Sequence, residues 1–101
     1  MNPVTISSER RVFSFVLLDD EGQEHSFSMP CIESLPASYT PVLAKIGRIK
    51  DSDEQNNAYF DFGVEMFEKY APGIFDIAVI GDMKEILLRW IAASGDVAGE
   101  S

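Results

Sequence analysis

The chain has 101 residues and a formal net charge of −9, from eight Lys and Arg against seventeen Asp and Glu, and this length fits one domain with one hydrophobic core. Such acidity argues against nucleic-acid phosphates or anionic lipids as partners, because both would be repelled. A single cysteine excludes a disulfide framework within the chain, and 46% apolar residues are too many for a disordered acidic protein.

Residues 1–10 are predicted to form an arm, either as a short edge strand or as an unstructured start. Residues 11–29 are predicted to form a β-hairpin, because two apolar stretches flank an acidic turn that contains glycine. The first stretch, residues 11–18, has apolar side chains at odd and even positions, which favours a strand covered on at least part of both faces. The turn is Asp19-Asp20-Glu21-Gly22, in which Gly22 is free to adopt a positive φ.

A first helix is predicted over residues 39–49, where apolar residues recur at helical spacing. Thr40 is the expected N-cap, and Pro41 suits the first turn, where its missing N–H is not needed.

A second helix is predicted from Asp51, which forms a capping-box pattern with Glu54, to Tyr70. Its main apolar stripe is expected to consist of Phe60, Val64, Phe67 and Tyr70. Gly63 costs about 1 kcal/mol inside a helix, so it is expected to mark a close packing contact.

Residues 74–80 are almost entirely apolar, and periodicity does not decide between a helix and a strand there. Asp82 with Glu85 forms another capping-box pattern. A final helix is predicted to follow, with Gly95 as its C-cap. Its apolar stripe is expected to consist of Met83, Ile86, Leu87, Trp90 and Ile91.

These elements predict an α+β fold: an N-terminal antiparallel β-hairpin, with room for a third short strand, followed by three to four α-helices. The expected organisation is an arm over 1–10, a single domain over 11–95 and a flexible tail over 96–101. No apolar run exceeds four residues, whereas a membrane span needs about 20. A cytoplasmic setting without membrane contact is therefore expected.

Residues with catalytic or ligand-binding chemistry are few. His25, the only histidine, is interpreted as an ordinary strand residue, and Cys31 as a small, partly buried side chain without a second cysteine for a metal or redox pair. Residues 51–56 begin like a calcium loop, but Asn56 and Phe62 occupy the positions that need Gly and Glu. No glycine-rich phosphate loop is present. We therefore expect no enzyme activity, no catalytic residue, no cofactor and no metal.

The charge and the apolar content leave two further questions. Residues 19–34 and 51–68 are acidic, whereas residues 35–50 are basic, and this pattern fits either simple solubility or a row of carboxylates that imitates DNA phosphates.

The C-terminal third contains more apolar residues than one helix face can hold. They either complete the core, which is the favoured interpretation, or form a protein-binding patch. The residues expected to point away from the core, and hence to bind a partner, are Phe75, Val79 and Leu88.

The chain resembles the tail assembly chaperones of long-tailed bacteriophages over residues 11–95. The resemblance rests on a pattern of elements rather than on a signature motif, so it assigns no functional residue. The segments that carry it are the hairpin strands RVFSFVLL from Arg11 and EHSFSM from Glu24, the segment Leu35-Pro36-Ala37, the aromatic helix YFDFGVEMF from Tyr59 and the last helix DMKEILLRW from Asp82.

The resemblance implies a non-enzymatic protein that binds the tape measure protein in the host cytoplasm and is absent from the mature virion. In that family a frameshift yields a longer form that recruits tail-tube subunits. The alternative from another class is an acidic inhibitor or nucleic-acid mimic that binds a host protein. Whether the chain forms homo-oligomers is left open.

Overall fold

The computed structural model describes residues 3–7 and 9–98, with side chains as far as Ser94. It shows a small α+β domain with the predicted N-terminal antiparallel hairpin followed by three α-helices. In chain order the elements are β1 (Val12–Leu18), β2 (Glu24–Pro30), 3-10 turns at Ile32–Ser34 and Ala37–Tyr39, α1 (Thr40–Gly47), α2 (Ser52–Tyr70), a 3-10 turn at Pro72–Asp76 and α3 (Ile80–Ala98).

The hairpin is confirmed together with its turn. Val12 lies opposite Pro30 at one end of the ladder, and Leu18 lies opposite Glu24 at the other. The N–H of Gly22 donates to the carbonyl of Asp19 at 2.9 Å. Gly22 has a φ of 79°, which only glycine adopts without strain.

The third strand allowed for in the arm is not formed by residues 3–7 or 9–11; residues 1, 2 and 8 lie outside the described part of the chain. The reason lies at Arg11, whose backbone N–H donates to Ser34 Oγ at 2.8 Å. Its carbonyl accepts from the N–H of Cys31 at 2.9 Å. The turn after β2 thus binds the backbone at the start of β1, and residues 3–7, 9 and 10 belong to no strand.

The expectation that β1 is covered on both faces is wrong. Phe13, Phe15 and Leu17 point to the core side, whereas Val12, Val16 and Leu18 on the other face are each more than half exposed. The sheet has only two strands, and its buried residues belong to one face. One face of the hairpin is therefore apolar and uncovered within the described residues.

The predicted N-terminus of α2 is confirmed, because Asp51 Oδ2 accepts from the N–H of Glu54 at 3.0 Å. The predicted cap of α1 is displaced by one residue: Thr40 is the first helical residue, and the preceding Tyr39 makes no side-chain cap bond. The end of α1 is held by Gln55, whose Nε2 donates to the carbonyl of Ile46 at 3.2 Å. The starting turn of α2 thereby satisfies the end of α1.

The buried face of α2 differs from the predicted stripe by roughly a fifth of a turn. Phe60 and Val64 are only half-buried, and the residues that face the core are Phe62, Gly63, Met66 and Phe67. A Cβ added to Gly63 would overlap Leu87 Cδ1 of α3, so the expected close contact at this glycine is confirmed. The approach of α3 at Gly63 determines which face is buried.

The ambiguous segment 74–80 forms no strand: residues 74–76 end a 3-10 turn, residues 77–79 belong to no helix or strand, and Ile80 is the first residue of α3. α3 begins at Ile80, two residues before the expected cap, and Asp82 reaches back so that its Oδ2 accepts from the N–H of Val79 at 3.1 Å. Gly95 is not the C-cap, because the helix continues to Ala98. Of the predicted tail 96–101, residues 99–101 lie outside the described part of the chain.

α3 closes the domain by binding the end of the hairpin. Trp90 is 1% exposed, lies against Phe62 with ring centroids 6.2 Å apart, and its Nε1–H donates to the carbonyl of Pro30 at 2.9 Å. One turn later the buried Ser94 Oγ accepts from the N–H of Ile32 at 2.8 Å and donates to the carbonyl of Trp90 at 2.9 Å. The bonds of Trp90 to Pro30 and of Ile32 to Ser94 join residues 60 and 62 positions apart and position both the hairpin and α3.

Candidate protein-binding surface

The three residues predicted to bind a partner are all exposed. Phe75 is 45% exposed, and Val79 and Leu88 are each 65% exposed. Ile80, the first residue of α3, is 75% exposed. Sequence reasoning counted Ile80 among the apolar surplus without singling it out.

The exposed residues do not lie on one helical stripe. The N–H groups of Ile77 and Ala78 donate to the carbonyl of Ile74 at 3.1 and 2.8 Å, which tightens the turn between α2 and α3. We refer to Phe75, Val79 and Ile80, which lie at this turn, as the corner patch. Leu88 is about 12 Å further along the axis of α3 and about 80° around it from Ile80. Phe75 and Val79 therefore belong to the turn before α3, whereas Leu88 belongs to the helix itself.

The uncovered face of the hairpin, Val12, Val16 and Leu18, is a second apolar surface, and sequence reasoning missed it. Its signal was present, since β1 has no charged residue and apolar side chains at six of its seven positions, VFSFVLL. That composition was interpreted as a sign that the domain itself covers at least part of both faces of β1. The same composition fits a face that another chain covers.

One contact between ionisable groups, that of His25 with Asp19, serves the hairpin turn. His25 Nε2 lies 2.9 Å from Asp19 Oδ2, while Asp19 Oδ1 accepts from the N–H groups of Glu21 and Gln23 at 2.9 and 2.8 Å. The hydrogen bond from His25, followed by that from Gln23, holds the pKa of Asp19 below its ordinary value of 3.8. The contact between Asp19 and His25 thus connects the turn to β2.

Loss of the Asp19 carboxylate is predicted to weaken the hairpin in acid. Because the folded-state pKa is lowered, its stabilisation is complete above 3.8 and disappears as the pH falls through the folded-state value. The difference in thermal midpoint between wild type and Asp19→Asn that is measured at about pH 5 should shrink as the pH falls below about 4. Asp20→Asn, which removes a charge from the same turn but leaves these bonds intact, should show a much smaller difference. An Asp19→Asn difference that does not change with pH would contradict the assignment.

The remaining sequence candidates have structural roles. Cys31 is 1% exposed, so it is buried more completely than expected. Asp51 caps α2, which accounts for the calcium-like beginning of that segment.

Across the described residues no three His, Cys, Asp or Glu side chains are grouped so that they could hold a metal ion. None of the helices in that part of the chain is long and apolar enough to cross a membrane.

Comparisons with family models, curated proteins and solved structures found no match to this chain.

The geometry therefore offers two apolar surfaces, the corner patch and the uncovered face of the hairpin. Both are made of aliphatic or aromatic side chains, which suits contact with another polypeptide.

Proposed function

We propose that this chain is a non-enzymatic tail assembly chaperone of a long-tailed bacteriophage, which binds the tape measure protein while the tail is built. The observation that carries the proposal is the corner patch, where Phe75, Val79 and Ile80 are exposed within six residues of chain around the turn before α3. Apolar side chains grouped in this way on a small domain favour a protein-binding role.

The chemistry of the corner patch suits a helical partner. Branched aliphatic side chains beside one phenyl ring can receive the apolar stripe of an amphipathic helix. A net charge of −9 keeps copies of the chain apart from one another while such contacts form and break. The resemblance over residues 11–95 then supplies the identity of the partner.

The test is to search the gene neighbourhood for a long reading frame with a helical product and to co-express that product with this chain. We expect the tape measure protein to remain in the supernatant and to co-purify with the wild-type chain. Val79→Lys places a charge in the corner patch and should release the partner. Val42→Lys is the matched control, because Val42 is also an exposed valine but belongs to α1.

The outcomes distinguish a failure of the proposed function from a failure of the proposed binding surface. If the tape measure protein stays insoluble with the wild-type chain and nothing co-purifies, the proposed function is wrong. If both lysine variants retain the partner equally well, the corner patch is not the binding surface. Circular dichroism of each purified variant verifies that the fold is intact.

A second candidate function, imitation of nucleic acid, is favoured by the outer face of α2. Glu54, Asp61, Glu65 and Glu68 are exposed and, from their spacing, lie along one stripe of this helix. An inhibitor of this kind would displace DNA from a host DNA-binding enzyme, and the inhibition would weaken steeply between low and high salt. Inhibition that does not change with salt, or no inhibition, would exclude it.

A further inference from the structure

α3 is attached to the rest of the domain in two different ways along its length. Its first half is held by apolar burial, because Met83, Ile86 and Leu87 are buried and Leu87 lies against Gly63 of α2. Its end is held by polar contacts to the turn after β2 and to the residue that precedes β1. Trp90, which is 1% exposed, lies at the boundary between the two regions.

Two polar contacts hold the end of α3. Ser94 Oγ accepts from the N–H of Ile32 at 2.8 Å, and this N–H has no other acceptor among the described residues. The carbonyl of Ala93 accepts from Arg11 Nη2 at 3.2 Å. The other guanidinium nitrogen, Arg11 Nη1, donates to Glu33 Oε2 at 2.8 Å. One arginine side chain thus connects the start of the hairpin, the turn after β2 and the end of α3.

These polar contacts are easier to break than the packing of the first half of α3. The Arg11 and Glu33 side chains are 37% and 27% exposed, so water and salt compete with their ion pair. A broken hydrogen bond is replaced by bonds to water at a small net cost, whereas separation of α3 from α2 would expose apolar surface. The end of α3 therefore opens at a lower free energy than the whole domain unfolds.

We propose that residues 93–98 dock to and detach from the turn after β2 as one unit, and that Arg11 is the latch that keeps them docked. In the detached state both polar contacts are broken together, while Trp90 keeps its place in the core. Detachment uncovers the N–H of Ile32. It leaves the corner patch unchanged, because that patch lies at the opposite end of α3. The inference does not depend on the proposed function.

Amide hydrogen exchange at two neighbouring residues tests the proposal in the wild-type chain. The N–H of Ile32 is held by α3, whereas the N–H of Cys31 is held by the carbonyl of Arg11 at the start of the hairpin. After correction for intrinsic rates, NMR should show Ile32 exchanging at least about tenfold faster than Cys31. The Ile32 rate should hardly change at low urea concentration, because detachment exposes little surface. Equal protection of the two amides, with the urea dependence of global unfolding, would overturn the proposal.

Substitution of Arg11 tests whether its side chain is the latch. Arg11→Ala removes the contacts with Glu33 and Ala93 but leaves the backbone bonds of residue 11 in place. It should raise the exchange rate of Ile32 about tenfold, which is the effect of losing one charged hydrogen bond. The exchange rate of Cys31 should not change, because the carbonyl that holds its N–H is still present.

Two further variants complete the test. Arg89→Ala is the matched control, because Arg89 also forms an exposed ion pair on α3 but forms it within the helix, and neither exchange rate should change. Glu33→Gln removes only the ion pair of the latch and should raise the Ile32 rate about twofold to threefold. It replaces Arg11→Ala if that variant does not fold. An unchanged Ile32 rate in the latch variant, or an equal rise in both amide rates, would refute the role of Arg11.

Discussion

Replacement of Trp90 by alanine should cost about 3–5 kcal/mol in the free energy of unfolding. Trp90 is the largest fully buried side chain and contacts two aromatic rings of α2, Phe62 and Phe67. A domain of this size has only about 5–10 kcal/mol of stability, so the variant should be close to unfolding at 25 °C. Urea denaturation followed by far-UV circular dichroism measures the change.

Trp90→Phe isolates the hydrogen bond from the packing. Phenylalanine keeps an aromatic ring against Phe62 but leaves the carbonyl of Pro30 without the indole N–H, which costs about 1–3 kcal/mol. Arg89→Ala is the control on the same turn of α3, because its exposed ion pair with Glu85 contributes little. If Trp90→Ala were within 1 kcal/mol of wild type, the described packing of α3 would be wrong.

Alanine at Ile74 should destabilise the domain by about 2–5 kcal/mol, whereas alanine at the adjacent Phe75 should change stability by less than about 1 kcal/mol. Ile74 has no exposed surface and belongs to the core cluster, while nearly half of Phe75 is exposed. Urea denaturation of both variants gives the comparison. The two residues are neighbours in one apolar run, so the pair tests directly whether this run supplies core or surface.

The same pair separates folding from association. Phe75→Ala should remain folded but bind the tape measure protein more weakly, since it removes part of the corner patch. Ile74→Ala should lose binding only to the extent that it unfolds. Equal destabilisation by both substitutions would show that Phe75 belongs to the core and would remove it from the proposed binding surface.

Elements whose causes are local could be predicted from the sequence. The hairpin follows from an acidic glycine turn between two apolar stretches, and the start of α2 follows from the Asp51 carboxylate, which reaches the N–H of a residue three positions later. The location of Asp82 near the start of α3 was also predicted from local sequence, although the N-cap position is Val79, three residues earlier. Each of these features is determined within a few residues of chain.

Features that depend on distant partners could not be predicted. The third strand is lost because Ser34, 23 residues away, accepts the N–H of Arg11. The buried face of α2 is determined by the approach of Leu87 to Gly63, which the helical period alone cannot indicate. β1 shows a further limit, because an apolar face has the same composition whether its own domain or another chain covers it. By contrast, Phe75, Val79 and Leu88 were predicted to point away from the core, and all three are exposed.

The bonds that close α3 onto the hairpin have a consequence for biosynthesis. Arg11 Nη2 donates to the carbonyl of Ala93, 82 residues later in the chain. A ribosome that adds about 5–20 residues per second needs about 4–16 s to travel between them. The hairpin itself forms in microseconds, so during those seconds Phe13, Phe15 and Phe27 lack the helix that should cover them. Slow codons between the hairpin and α3 should therefore increase aggregation of the nascent chain, whereas slow codons before Arg11 should not.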